Sequence, residues 1–195
     1  AEGLTEDEQD NQLRLKLMKN ACAVLMCSRG TPMFLAGDEF GNTQFGNNNA
    51  YCQDNEISWL DWTYLDKNRE LFNFFKRMIA FRKAHPAVRR DLEPAKCGFP
   101  KISVHTQKPW NGDITGDSKV ICVMYAGYDE DRERDDIVYL SVNVYWEEQE
   151  IMLPGLSEGW NWQLYACTGM ETPGGVWDKM LMEPRSVAVW QAVRR

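Results

Sequence analysis

A chain of 195 residues, 44% hydrophobic and 26% charged, is long enough to bury a core in one or two domains and has the composition of an ordinary globular protein. Its formal net charge of -7 is spread without any block of lysine or arginine, which excludes nucleic acid as a partner, because phosphate binding needs concentrated positive charge. No apolar run approaches the roughly 20 residues that span a bilayer, so no membrane partner is expected.

Residues 1–12 are polar and acidic, and the Thr5-to-Glu8 spacing is that of a capping box, which predicts a helix over 6–28. Its first half is amphipathic, with Leu13 and Leu17 on one stripe; its second half, from Ala21 to Cys27, is apolar nearly all round and calls for burial on most sides. Gly30 supplies a stop, and Pro32 opens a buried strand over 32–36. A second helix is predicted over 66–85, where Leu71, Phe74, Phe75, Met78, Ile79, Phe81 and Arg82 follow the helical period until Pro86 ends it. Helix, buried strand, long loop and helix make half of a repeating α/β layer, because one strand cannot form a sheet alone.

From 91 to 116 the chain is punctuated by Pro and Gly, with a short strand at 102–105. Alternating or β-branched runs follow at 120–125, 137–145, 150–153, 160–166 and 186–193. They are separated by turn or charged segments at 129–136, 154–159 and 168–175. Several short strands without helical period predict an antiparallel β-sandwich. The boundary falls near 90–100, dividing the chain into 1–90 and 91–195. The charged segment 129–136, DEDRERDD, reads as a solvated hairpin tip.

Loop 37–62, GDEFGNTQFGNNNAYCQDNEISWLDW, is longer than the roughly 12 to 15 residues beyond which connections tend to be functional or disordered. Its aromatic residues with Ile57 and Leu60 favour an ordered loop. Its amides and carboxylates suit a hydroxyl-rich ligand, although Asn and Gly also serve simply to make turns. The loop lacks the ligand spacing of a calcium site, and the six cysteines show no Cys-x-x-Cys pair, so neither metal nor cofactor is expected. Four cysteines lie in apolar or strand-like context, which suits packed reduced thiols and a cytoplasmic protein. Cys52 reads as packed rather than reactive, His85 and His105 as structural, and Trp59 and Trp62 as aromatics that pack the loop onto its scaffold. The acidic start after Ala1 carries no signal peptide and reads as a cut through a larger protein.

The run GTPMFLAGDEFG from Gly30 to Gly41, then GNNNAYCQDNE from Gly46 to Glu56 and SWLDW from Ser58 to Trp62, resembles the isoamylase and glycogen-debranching branch of the α-amylase superfamily. The Gly-x-Pro-x-x-x-x-Gly-x-Glu pattern at Gly30, Pro32, Gly37 and Glu39 is similar to the superfamily's strand-eight signature. The NNNAYCQDN run is the part that points to this branch. Arg82-Lys83-Ala84-His85-Pro86, Lys108-Pro109-Trp110, Asn143, Trp146 and Pro184-Arg185-Ser186-Val187-Ala188 resemble later landmarks, so the resemblance spans the chain.

That resemblance implies the last strand and helices of a (β/α)8 barrel, over 1–90, followed by a C-terminal antiparallel β-sandwich, over 91–195. The loop would leave the C-terminal end of a barrel strand, where barrel enzymes place their active sites. The family cleaves α-1,6 linkages of branched α-glucans, glycogen or starch, with retention through paired carboxylates. The resemblance places those carboxylates upstream of this sequence. None of Asp38, Glu39, Asp54, Glu56 or Asp61 matches them, so no catalytic residue is expected here and the 195 residues alone should be inactive. The expected substrate-contacting residues are Asn47, Asn48, Asn49, Tyr51, Gln53, Asp54 and Asn55. The alternative is a non-catalytic carbohydrate-binding module built on the tryptophans of the β domain, with Trp160 and Trp162 sharing a strand face. The barrel surface left exposed predicts self-association.

Overall fold

A computed structural model describes residues 3, 5–111, 113–170 and 177–194. Three layers are stacked: a pair of helices, a five-stranded sheet and a two-stranded ribbon. The helices are α1 (Glu8–Met26), the short α2 (Thr63–Lys67) and α3 (Arg69–Ala84). The sheet contains β1 (Ile102–His105), β2 (Val120–Asp129), β3 (Arg134–Asn143), β5 (Trp160–Cys167) and β7 (Ser186–Arg194). The ribbon pairs β4 (Gln149–Met152) with β6 (Lys179–Met182). The sheet order is β1-β2-β3-β7-β5, with every pairing antiparallel.

The sheet is covered on both faces, which explains why its central strands read as near-continuous apolar runs. Val138, Leu140, Val187 and Val189 meet Cys22, Met26, Phe75, Met78 and Phe81 of the helices. Tyr139, Cys122, Ala188 and Trp190 meet Ile151, Met180 and Met182 of the ribbon. A bulge between Leu164 and Ala166 changes the parity of β5. Leu164 therefore packs toward the ribbon and Ala166 toward the helices. In β2, Gly127 is required by close approach, because a Cβ there would lie 2.5 Å from Cβ of Leu92.

Several expectations are corrected. The cap of α1 is Asp7, whose carboxylate accepts from the amides of Gln9 and Asp10, while Thr5, two residues upstream, accepts from the Asp7 amide. The apolar second half of α1 buries one face only, and Val24 stays exposed. The predicted second helix is divided at Asn68 into α2 and α3. Segment 32–36 belongs to no ladder among the described residues and runs into a turn at Ala36, and Met33 is 86% and Leu35 62% exposed. A strand needs a neighbour, and the segment has none here. The ribbon strand β6 went unread. Turn segment 168–175 lies outside the described residues from 171 onward.

Charged run 129–136 is a solvated tip only over Glu130–Glu133. Asp129, Asp135 and Asp136 are buried. Asp135 accepts from the amides of Lys96 and Cys97, each at 2.8 Å. Asp136 joins Nδ1 of His85 at 2.6 Å and accepts from the amide of Ala87 at 2.9 Å. Nε2 of His85 lies 2.9 Å from Oε1 of Gln191 on β7. Arg82, itself buried, donates to the carbonyls of Met26, Ser28 and Gly30, satisfying acceptors that the end of α1 leaves open. Burial lowers the Arg82 pKa.

Truncating Asp136 to Ala leaves two buried donors, His85 Nδ1 and the Ala87 amide, without their acceptor. The expected cost is about 2–4 kcal/mol, from the penalty for each unsatisfied buried group. A urea unfolding curve with a lower midpoint and unchanged slope is the expected result.

Candidate functional site

Loop 37–62 is ordered by its own polar side chains. It opens with a 3-10 turn, Asp38–Phe40, between two left-handed glycines. At Gly37, φ is 100° and a Cβ would fall 2.7 Å from that of Asn42, so no other residue fits. Asp38 accepts from the Leu35 amide and Glu39 from the Gly37 amide, both at 2.9 Å. These two carboxylates close the turn that carries them. Phe40 is buried, its carbonyl accepts from Nδ2 of Asn68 at 2.8 Å, and its ring lies 5.2 Å from that of Trp62.

The base of the loop is clamped by Asn42, whose Oδ1 accepts from the Asp61 amide at 2.9 Å and whose Nδ2 donates to the Trp59 carbonyl at 3.4 Å. A series of Asx turns then forms the walls. Asn47 accepts from the Asn49 amide, Asn49 from Tyr51, Asn55 from Ile57 and Asp61 from Thr63. Each side chain replaces a backbone acceptor, which is why Asn and Asp recur here. Hydrogen bonds from Thr63 hold the Asp61 carboxyl below the usual carboxylate range. Gln53 braces the series, taking a hydrogen bond from Asn47 at 3.2 Å and donating to the Asn49 carbonyl at 2.7 Å. Phe45 and Cys52 both have positive φ, an uncommon conformation for residues other than Gly, Asn and Asp.

The seven residues singled out in the sequence thus divide. Asn47, Asn49, Gln53 and Asn55 spend acceptors on the loop itself, and Asp54 accepts from the indole nitrogen of Trp59 at 2.8 Å. The side chains of Asn48 and Tyr51 make no hydrogen bond among the described residues, and Tyr51 is 83% exposed. None of the seven lines the nearby hollow of about 210 Å³, which is walled instead by residues such as Asn42, Phe45, Trp59, Asp61 and Tyr64. Trp59 and Trp62 do not pack away as expected, being 58% and 62% exposed. Their polar anchor (Asp54) and ring partner (Phe40) occupy one side of each. Cys52 is exposed rather than packed. The aromatic lining of the hollow is Phe45, Trp59 and Tyr64, of which Trp59 was expected to pack away because of its spacing with Trp62.

The β-domain tryptophans also separate. Trp162 is core and donates to the Pro154 carbonyl, whereas its strand mate Trp160 is half-buried. Among the described residues, no group of three or more His, Cys, Asp or Glu is placed to hold a metal ion. No helix among the described residues is long and apolar enough to cross a membrane.

No family model matches the chain. In structure it is similar to a pullulanase from Anoxybacillus sp. LM18-11 complexed with maltotetraose, with a TM-score of 0.69 and 20% identity over 95% of this chain and 24% of that one. A pullulanase from Bacillus acidopullulyticus gives a TM-score of 0.68 and 22% identity over 96% and 21%. At this identity the likeness establishes the fold: the mostly antiparallel β structure of a C-terminal β domain of this class. In sequence, the chain is 36% identical over 182 residues to the Glycogen operon protein GlgX homolog of Mycobacterium tuberculosis, covering 84% of this chain and 25% of the relative. It is 31% identical over 176 residues to the chloroplastic Isoamylase 3 of Oryza sativa subsp. japonica, covering 90% and 21%. A Glycogen debranching enzyme of Pectobacterium atrosepticum is 47% identical over 90 residues, covering 46% and 13%. The chain is similar to isoamylases and glycogen-debranching enzymes, and the match fits a C-terminal part of such an enzyme. It spans about a quarter of the length of the first of these relatives.

Replacing Asn42 with Ala removes both hydrogen bonds that clamp the ends of the loop. The Asp61 amide is then expected to exchange with solvent deuterium about tenfold faster, equivalent to about 1.4 kcal/mol of local opening. Amides in the sheet should be unchanged.

Proposed function

We propose that this chain is the C-terminal part of a retaining α-1,6-glucan-debranching glycoside hydrolase acting on branched α-glucans of the glycogen or starch type. The observation that carries this reading is the 36% identity to the mycobacterial GlgX homolog over 84% of the chain. Residues 1–90 form the last piece of a (β/α)8 barrel and 91–195 the C-terminal β domain. Segment 32–36 is the barrel's eighth strand. Its place before the loop and its exposed Met33 and Leu35 suit a strand whose neighbours belong to the rest of that barrel.

The chain contributes one wall of the glucan cleft and no catalytic carboxylate. Asp38, Glu39, Asp54 and Asp61 are each engaged in holding the loop. Asn48 and Tyr51 supply the outward-facing polar and aromatic groups, and Asn47, Asn49, Gln53, Asp54 and Asn55 set the wall's shape, their remaining polar atoms facing sugar hydroxyls. All six cysteines are free thiols. Burial pushes those of Cys22 and Cys27 up to about 12, which keeps them protonated and unreactive; reduced thiols suit a cytoplasmic setting.

Incubated with glycogen, the 195-residue chain should release no linear chains. Titrated with maltohexaose, it should show amide shifts concentrated at Asn48–Asn55. Chain release would overturn the assignment of catalysis elsewhere, and shifts confined to the β domain would favour a separate carbohydrate-binding module.

We infer also that the chain alone self-associates. Leu17 and Val24 lie on one exposed stripe of α1, and Met33 and Leu35 are exposed beyond it, leaving apolar surface on two neighbouring stretches of chain. Light scattering should report oligomers at high concentration, reduced toward monomer by the double substitution Leu17→Glu and Leu35→Glu. A clean monomer of the unaltered chain would refute the inference.

A further inference from the structure

A second groove, of about 520 Å³, lies at the far end of the sheet, where the start of β3, the end of β7 and the first residue of β5 meet. Three guanidinium groups line it, from Arg132, Arg134 and Arg194, in a chain whose formal net charge is -7. Arg132 is fixed in place, donating to the Ala84 carbonyl with its Nε 3.5 Å from Asp129. Arg194 stands over the ring of Trp160 at 5.2 Å, its cross-strand partner. Stacking holds a guanidinium in one plane while leaving its N–H edge open for hydrogen bonds. Arg134 and Arg194 are exposed and have no carboxylate partner among the described residues.

The carboxylates that share the groove form no ion pair with these arginines among the described residues. Asp135 has one oxygen on the Lys96 amide and the other on the Cys97 amide. Asp136 has one on His85 and the other on the Ala87 amide. Both aspartates keep their charge but are directed into the fold, and three arginines against two aspartates in the lining leave Arg134 and Arg194 as the guanidinium groups open to an anion. Guanidinium forks match the paired oxygens of a phosphate. The volume falls in the range of small-molecule sites, about 300–1,000 Å³, and exceeds what inorganic phosphate would fill. Trp160 and the amide of Gln191 border the remaining space, an apolar ring and a polar group of the kind that hold a sugar.

We propose that this groove binds a phosphate monoester of a small sugar, with Arg134 and Arg194 on the phosphate and Trp160 and Gln191 beside the sugar. The site is separate from loop 37–62 and does not depend on the glucan-cleft reading of that loop.

Isothermal titration of the 195-residue chain with glucose 1-phosphate and glucose 6-phosphate, at low ionic strength, tests it. Saturable binding is expected for at least one ester, tighter than for inorganic phosphate and with none for glucose. The double substitution Arg134→Gln and Arg194→Gln should weaken it at least tenfold. Arg77→Gln, which removes another arginine stacked on an aromatic ring, that of Tyr165, should leave it unchanged. Absence of saturable binding to both esters, equal affinity for inorganic phosphate, or an equal loss in Arg77→Gln would overturn the proposal.

Discussion

The buried carboxylate of Asp136 is the point on which the association of helices and sheet depends. It gathers His85, at the end of α3, and the amide of Ala87, just beyond Pro86. The helix is thereby stopped and turned against β3 by one side chain. His85 carries the linkage to Gln191 of β7, and Gln191 donates to Gln163 of the edge strand β5. One polar path therefore crosses three strands beneath the helix end. The ring of His85 also packs 4.2 Å from that of Phe81. Buried polar groups are costly unless each is satisfied, and here the satisfied set fixes where α3 meets the sheet. A purely apolar contact would leave that register loosely specified.

Arg82 extends the same constraint to α1. Lying within one turn of His85, it collects three carbonyls from the end of α1 and the turn after it. The chain segment entering 32–36 is thus positioned from α3, and α3 is positioned from β3 and β7. Loop 37–62 inherits this order at its base through Asn68, which holds the Phe40 carbonyl just ahead of α3. Beyond the base, the loop's conformation is local, each Asx turn spanning only two residues. Such a loop holds its shape with little burial, so its outward groups can meet a ligand without a large ordering cost.

Much of this was legible in the sequence, and the exceptions have physical causes. The strands were found because β-branched and aromatic runs bounded by turn residues leave few alternatives. Ribbon strand β6 was missed because Lys-Met-Leu-Met lacks β-branched residues, although its alternation was present: Met180 and Met182 are buried and Leu181 is exposed. The charge run 129–136 misled because composition is blind to which carboxylates find amide partners. Asp135 and Asp136 find theirs on opposite faces of β3, from a loop and from a helix end. Segment 32–36 shows the converse limit. An apolar run specifies that something must cover it, and it does not specify that the cover is present. The amide-rich loop was recognised as ordered, but the division between amides that build it and groups that face outward depends on hydrogen-bond geometry that no spacing rule contains.

The two ends of the loop are tied together and to the helices. Asn42 joins the entrance to Asp61 at the exit, and Asn68, just ahead of α3, holds the Phe40 carbonyl of the entrance. The entrance follows Met33–Leu35, whose one aromatic contact is that of Phe34 with Phe75 at 5.4 Å. A surface laid over Met33 and Leu35 would stabilise the segment that leads into the loop. The loop's inner geometry would not alter, because its Asx turns draw nothing from that side. The polar wall is therefore formed before the apolar segment beside it is covered. In the proposed role, whatever completes the cleft would add opposing groups to a wall already shaped, with Asn48 and Tyr51 as its outward-facing groups.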